Sequence, residues 1–204
     1  LALEPLVQGF ATNLNLPEAV KVGHVFEGWY TDQALTSEYT STTVESSNMT
    51  LYAKYTVGNY ELNFIDFDDS EIEAYTFDFN TDLTSLELPD APTRAGFTFS
   101  GWSIEIPATM PAENVNIQAL YTANVHQLTL INNNGSDNIV TDQSYLDTLT
   151  LPTPTRTGYT FNGWFIDEAL ETANTATTMP DNDVTLYATW TINEYTVSFD
   201  SNQG

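Results

Sequence analysis

The chain has 204 residues, a length that suits one large domain or several small ones, and its 28 acidic residues against 4 basic ones give a formal net charge of -24. Such a charge repels nucleic acids and anionic membrane surfaces, so nucleic-acid binding is disfavoured. The absence of cysteine excludes disulfides and thiolate metal sites, and no apolar run reaches the roughly 18 residues that a membrane-spanning helix needs.

A Gly-x-x-Phe-x-Gly-Trp motif occurs three times, at residues 23–29, 96–102 and 158–164. The first and third copies align without a gap, whereas the middle copy lacks the Asp-x-Ala-Leu segment that follows the tryptophan. Self-similarity over such a long period indicates a tandem repeat architecture. We therefore predict a division into repeat 1 (1–56), repeat 2 (57–123), repeat 3 (124–192) and the opening strand of a following repeat (193–204).

Alternating apolar and polar residues predict strands with one buried face. Repeats 2 and 3 open with Leu62/Phe64 and Leu128/Leu130, and the pattern returns at Val197/Phe199, whereas repeat 1 has no such opening strand. The repeats close on further alternating runs, at 51–55, 117–121 and 186–190. Asn and Gly tolerate positive φ, so the segments 132–135 and 201–204 predict hairpin turns. Helix signals are limited to a single turn that Asp32 and Asp167 could cap, and the predicted class is mainly β, a small α+β fold with little helix.

The large aromatic residues of each repeat have two interpretations. Flat aromatic faces stack on sugar rings, but a repeat of this size without disulfides also needs its largest side chains for a core. Because the same positions recur in all three repeats, we favour the core. The predicted core residues are Phe26, Trp29, Tyr55, Phe99, Trp102, Tyr121, Phe161, Trp164 and Trp190.

Three of the four cations, Lys21, Arg94 and Arg156, stand two residues before the first glycine of the motif. This shared position indicates either a contact between successive repeats or a partly exposed local ion pair, which would contribute less than about 1 kcal/mol. We favour the ion pair.

Residues suited to catalysis or metal binding are few. His24 and His126 fall at unrelated repeat positions and lack the partner spacing of a metal site or a triad. Asp66, Asp68, Asp69 and Glu71 offer oxygen ligands to calcium but lack the glycine and distal glutamate of an EF-hand loop, so a solvated acidic turn is the favoured interpretation. We expect no catalytic residues and no cofactor, with calcium as the one candidate. Asn48 and Asn134 head N-glycosylation patterns, which occur often by chance.

The order of these motifs resembles the Listeria–Bacteroides repeat, the group that includes the internalin B-repeats. The resemblance rests on Leu-Pro, a basic residue, Gly-Tyr-Thr-Phe-x-Gly-Trp, Asp-x-x-Leu and Leu-Tyr-Ala-x-Trp, and it covers the whole chain. It implies a β-grasp-like fold, an extracellular or cell-surface location, and a role as a stalk or adhesive module. The family pattern contributes no catalytic residues.

Two functions follow as hypotheses: a stalk or filament segment built from stacked repeats, or an adhesin module that contacts a glycan or a host protein. An enzyme is disfavoured. The expected partners are neighbouring repeats, either in the same chain or in an adjacent chain that receives residues 195–204 as a strand beside residues 1–10.

Overall fold

The computed structural model describes residues 4–200 and residue 202. Its described residues form strands joined by turns and contain no helix. The strands are β1 His24–Tyr30, β2 Tyr52–Val57, β3 Asn59–Ile65, β4 Glu71–Asp78, β5 Phe97–Trp102, β6 Val115–Ala123, β7 Val125–Ile131, β8 Ile139–Ser144, β9 Tyr159–Phe165 and β10 Val184–Ile192. The mainly β class predicted from the sequence is confirmed.

Repeats 2 and 3 share one sheet topology. Their four-stranded sheets have the orders β4-β3-β6-β5 and β8-β7-β10-β9, whereas repeat 1 contributes the two-stranded sheet β1-β2. The opening strands β3 and β7 lie centrally, antiparallel to β4 and β8 and parallel to β6 and β10. Because no described segment occupies the equivalent place in repeat 1, β2 pairs only with β1 within the described chain.

Spatial contacts divide the chain into two compact units, one made of the residues up to Pro92 with Gly101–Leu120, the other of Thr93–Ser100 with the residues from Tyr121 onward. Each unit has a buried core, because the predicted opening strands turn alternate apolar side chains inward. The first core contains Leu62, Phe64, Leu83, Met110 and Ile117. The second contains Leu128, Leu130, Trp164, Met179, Leu186 and Ala188.

The two glycines of the repeated motif have different backbone roles. The first, such as Gly158 with φ of 80°, occupies a turn, and the second, such as Gly163 with φ of 127°, lies inside a strand. The pairing of β9 with β10 skips Asn162, and that of β1 with β2 skips Glu27, so the second glycine adjoins a β-bulge. The motif is therefore a bulged strand that begins after a tight turn.

The Asp-x-Ala-Leu segment forms a turn that an aspartate closes. Asp167 accepts hydrogen bonds from the backbone N–H groups of Glu171 (3.0 Å) and Thr172 (2.7 Å), and the Glu171 bond, followed by others, holds the pKa of Asp167 below its ordinary value. The turn ends at Leu170, whose left-handed φ of 58° prevents the turn from continuing as a right-handed helix. The capped single turn predicted at this position is present, as it is after Asp32, where Leu35 has a φ of 56°.

The strand predicted from Val197/Phe199 as the opening of a following repeat has no partner strand among the described residues. Residues 193–200 have no strand structure, and Tyr195, Val197 and Phe199 are 78%, 72% and 92% exposed. An alternating segment becomes a strand only when a neighbouring strand supplies backbone partners. Residues 201, 203 and 204 of the second predicted hairpin turn lie outside the described residues, as do residues 1–3. Within the part of the chain described, no apolar helix has the length that a membrane crossing requires.

Leu146 follows β8 in a strained conformation. Its φ is 69° and its side chain is 52% exposed, while the equivalent position in repeat 2 is held by Asn80 with φ of 67°. A left-handed φ costs a leucine about 1–2 kcal/mol, whereas asparagine tolerates it. We expect Leu146→Asn to raise the free energy of unfolding by about 1 kcal/mol. Urea unfolding measures this gain, and the reverse change Asn80→Leu should lower stability; equal midpoints for all three proteins would contradict the strain.

Candidate functional site

The first glycine of each motif occupies the third position of a four-residue turn. The turns close through hydrogen bonds from the N–H of His24 to Lys21, of Phe97 to Arg94 and of Tyr159 to Arg156, at 3.1, 3.0 and 3.0 Å. The glycines have similar positive φ values of 69° (Gly23), 77° (Gly96) and 80° (Gly158). A left-handed φ at this position favours glycine, because it has no Cβ to clash with the backbone. The first glycine of all three motifs therefore lies in a tight turn.

At two of these turns, the glycine meets the hairpin that opens the next repeat, and we call each such contact a junction. In the first junction, Gly23 accepts a hydrogen bond from the N–H of Gly58 (2.9 Å), and Gly58 accepts one from the N–H of Phe79 (2.8 Å). The Phe79 ring lies against Gly23 so closely that a Cβ on the glycine would overlap it. The ring also packs edge-on against His24, with 5.9 Å between ring centroids.

The second junction repeats this geometry with different side chains. Gly96 accepts a hydrogen bond from the N–H of Asn124 (3.0 Å), and Asn124 accepts one from the N–H of Tyr145 (2.7 Å). The Tyr145 ring covers Gly96, where a Cβ would again overlap it, and packs edge-on against Phe97 at 5.5 Å. Two independent pairs of residues therefore produce the same contact of an aromatic ring with a turn glycine.

Polar side chains add to the second junction. Asp181 accepts hydrogen bonds from Asn124 Nδ2 (2.9 Å) and His126 Nε2 (2.8 Å). The Asn124 contact, followed by that of His126, lowers the pKa of the Asp181 carboxyl below its ordinary value. Thr98 Oγ1 also donates to Asn124 Oδ1 at 2.8 Å. His126 thus has a structural role in this network, which its position in the sequence did not reveal.

The cations of the turns stack on aromatic rings. The Arg94 guanidinium lies 3.9 Å from the ring centroid of Phe97, and that of Arg156 lies 3.8 Å from the centroid of Tyr159. Lys21 lies over Tyr55 at 5.6 Å. Arg156 also donates to the backbone oxygen of Asn133 at 3.0 Å. Each cation therefore makes a cation–π contact within its own repeat. The two interpretations drawn from the sequence, a contact between repeats and a local ion pair, did not predict these aromatic contacts.

The predicted aromatic residues pack edge-on against other aromatic rings of their own repeats. Phe161 packs against Trp164 at 5.6 Å and against Trp190 at 5.4 Å, and Phe26 contacts Trp29 and Tyr55 similarly. Trp164 is buried, with 6% of its surface exposed, and the other eight residues, including Trp29 and Trp102, are half-buried. Phe99 packs edge-on against Tyr121 at 6.0 Å. Because Trp102 packs on Phe64 at 5.1 Å, each of the nine rings contacts another aromatic ring edge-on.

Of the acidic residues proposed for calcium, Asp66, Asp68 and Asp69 lie in the turn between β3 and β4, and Glu71 begins β4. Asp66 accepts the N–H of Phe67, and Asp68 accepts both the N–H and the hydroxyl of Ser70. Among the described residues, no group of three or more His, Asp or Glu side chains is arranged to hold a metal ion. The geometry therefore gives no support to Asp66, Asp68, Asp69 and Glu71 as a calcium site.

We expect cations to stabilise the protein by general charge screening. A net charge of -24 repels itself at low ionic strength, and this repulsion weakens as salt shortens the Debye length. Melting temperatures should therefore rise almost equally with NaCl and CaCl₂ at matched ionic strength. Glu71→Gln, within the acidic cluster, and Glu168→Gln, outside it, should respond alike to calcium. A large shift at micromolar calcium that Glu71→Gln alone removes would contradict this expectation.

Sequence reasoning missed the junction aromatics Phe79 and Tyr145. A signal was available, because Phe79 follows Gly58 by the same number of positions as Tyr145 follows Asn124. The signal is weak in isolation, since the two aromatics differ and the residues that follow them, Asn80 and Leu146, do not match.

Comparison with known proteins agrees with this repeat organisation. A family model described as the Listeria-Bacteroides repeat domain matches residues 7–54, 60–125 and 126–189. A protein named "Putative Gly-rich membrane protein" from Evansella cellulosilytica is 31% identical over 195 residues, covering 90% of this chain and 22% of the relative. Internalin H from Listeria monocytogenes is 35% identical over 144 residues, covering 60% of this chain and 26% of the relative. The chain thus spans about a quarter of the length of these relatives.

Proposed function

The chain belongs to the Listeria–Bacteroides repeat family, and from this premise we propose that it is a non-catalytic, extracellular structural module, a stalk or filament segment of a bacterial surface or secreted protein. The observation that carries the proposal is the recurrence of one junction geometry with different residues, Gly23 with Phe79 and Gly96 with Tyr145. A junction that is kept while its side chains change is typical of a scaffold, in which each repeat is stabilised by its neighbours.

A stalk holds its ends at a defined separation, and this property can be measured. The chain has no cysteine, so Glu45→Cys and Glu168→Cys place two spin labels on exposed positions of repeats 1 and 3. We expect one narrow distance distribution by pulsed electron spin resonance. Tyr145→Ala should broaden it by loosening the second junction. A broad distribution in the otherwise unaltered chain would contradict the stalk, and glycan binding lost on substitution of an exposed aromatic would favour the adhesin.

We also propose that residues 49–52, which lead into β2, accept a further strand from another repeat, in the same chain or an adjacent one. In repeats 2 and 3, the residues at the start of the closing strand pair in parallel with the opening strand, such as Val184 with Leu128 and Leu186 with Leu130. The corresponding residues of repeat 1 are Met49 and Leu51, and the Met49 side chain is 45% exposed. Unpaired strand edges invite strand addition.

The donor that we propose is the segment 195–204, which matches the opening strands in sequence and exposes Val197 and Phe199. Donation between separate molecules would form head-to-tail chains, because such a contact does not close on itself. Sedimentation of the whole chain should then show concentration-dependent assembly, and deletion of 195–204 should abolish it. Assembly that is unchanged by the deletion, or a whole chain that stays monomeric at high concentration, would overturn donation between molecules.

A further inference from the structure

We infer that the turn at Gly158 is a docking site for the aromatic side chain of a following repeat. Its backbone reproduces the two junctions: Gly158 has a φ of 80° and accepts a hydrogen bond from the N–H of Asn193 at 2.8 Å. Thr160 Oγ1 donates to Asn193 Oδ1 at 2.7 Å, as Thr98 does to Asn124 in the second junction. The third turn therefore has the acceptor half of a junction already formed.

The space beside this glycine is open. A Cβ built on Gly158 meets no described heavy atom within 4 Å beyond its chain neighbours, whereas one on Gly23 or Gly96 overlaps an aromatic ring. Tyr159, the residue after the glycine, is half-buried and stacked under Arg156. It stands where His24 and Phe97 provide the edge-on partner for Phe79 and Tyr145. The open site thus has a glycine on one side and an aromatic ring on the other.

The spacing of the junctions identifies the occupant. The sequence distance from Gly58 to Phe79 equals that from Asn124 to Tyr145. Asn193 is equivalent to Gly58 and Asn124, because each donates its N–H to a turn glycine. The side chain that fits the site is therefore the aromatic residue at the same distance beyond Asn193, in a following repeat. A phenylalanine fills the equivalent site in the first junction and a tyrosine fills it in the second. The site therefore accepts a flat six-membered ring and discriminates little between rings with and without a hydroxyl. The inference rests on the proposed repeat-array function and names the contact that extends the array.

The chain itself supplies the test. Gly204 aligns with Gly135, so a copy of residues 136–192 appended after Gly204 places the copied Tyr145 as far beyond Asn193 as Tyr145 itself lies beyond Asn124. With ¹³C-labelled glycine, the α-protons of Gly23 and Gly96 should show upfield ring-current shifts in both chains. Those of Gly158 should shift upfield only in the extended chain. Replacing the copied Tyr145 by leucine should remove the Gly158 shift, just as Tyr145→Leu should remove that of Gly96. A Gly158 resonance that is the same in both chains would overturn the inference.

A second measurement uses the 204-residue chain alone. Gly96→Ala and Gly158→Ala share the cost of a left-handed alanine, but only the first forces its methyl group into a ring. We expect Gly96→Ala to lower the melting temperature by roughly 4 °C or more beyond Gly158→Ala. Equal losses would overturn the inference even if the appended repeat does not fold. This outcome does not depend on the spin-label distances. The docking inference can therefore be wrong while the stalk proposal is correct, and the stalk proposal can be wrong while the docking inference is correct.

Discussion

Trp164→Ala is expected to lower the free energy of unfolding by about 3–5 kcal/mol, a large part of the stability of a repeat this small. The indole is 6% exposed, packs on Phe161 at 5.6 Å, and donates from Nε1 to the backbone oxygen of Pro152 at 2.9 Å. Truncation to alanine leaves a cavity in the core of repeat 3 and removes the hydrogen bond to Pro152. Denaturant unfolding followed by circular dichroism measures the loss.

The matched control is Trp29→Ala in repeat 1. Trp29 makes the same hydrogen bond, from Nε1 to Pro17 at 2.9 Å, and the same edge-on contact with a phenylalanine at 5.5 Å. It is half-buried, however, in a sheet of two strands. We therefore expect Trp29→Ala to cost clearly less than Trp164→Ala. Equal costs would mean that the shared contacts, and not the depth of burial, determine the contribution of this tryptophan.

The two hydrogen bonds also explain a sequence pattern. The Leu-Pro pair precedes the tryptophan by a constant distance in repeats 1 and 3 because the proline carbonyl must reach the indole N–H. The sequence predicts this recurrence but not its cause. A motif alignment shows which residues stay in register, whereas a hydrogen bond between a loop and a strand depends on how the chain folds back.

Prediction from the sequence succeeded for strands whose apolar and polar residues alternate and failed for a strand without an apolar face. The opening strands follow from the alternation at Leu62/Phe64 and Leu128/Leu130, and the turn at 132–135 follows from Asn133, whose φ is 50°. β8 was missed because its residues Ile139–Ser144 are exposed or half-buried, so its alternation carries no clear apolar face. Val197/Phe199 has the same alternation as the opening strands, but no described strand lies beside it and residues 193–200 are not a strand.

The junctions were missed for a related reason. An aromatic ring over a glycine depends on two segments that are distant in the chain, as with Gly96 and Tyr145. Neither residue is unusual in its local sequence. Only the matching contacts at Gly23 and Gly96 show that the ring and the glycine form one contact, whereas the sequence places each in a different repeat.

Met179→Ala is expected to cost about 2–5 kcal/mol, because the side chain is 0% exposed and contributes to the core of repeat 3. Its backbone is also fixed, with its N–H bonded to Asp147 (2.8 Å) and its oxygen accepting from Leu146 (2.9 Å). An alanine at this position keeps both hydrogen bonds, so the loss measures side-chain burial alone. Met179→Leu keeps the volume and should cost less than about 1.5 kcal/mol.

Val44 in repeat 1 has the same backbone position as Met179 but a less buried side chain, so comparing the two separates the effect of side-chain burial from that of backbone position. Val44 makes the equivalent pair of backbone hydrogen bonds, with Thr12 and Ala11 at 3.0 Å each, but its side chain is half-buried. Val44→Ala should therefore cost much less than Met179→Ala, and Met110→Ala, in the fully buried position of repeat 2, should match Met179→Ala. A Val44→Ala loss as large as that of the two methionines would show that repeat 1 has a complete core in solution. In the strand addition proposed above, the added strand would lie beside residues 49–52 and complete that core by covering Met49 and Leu51.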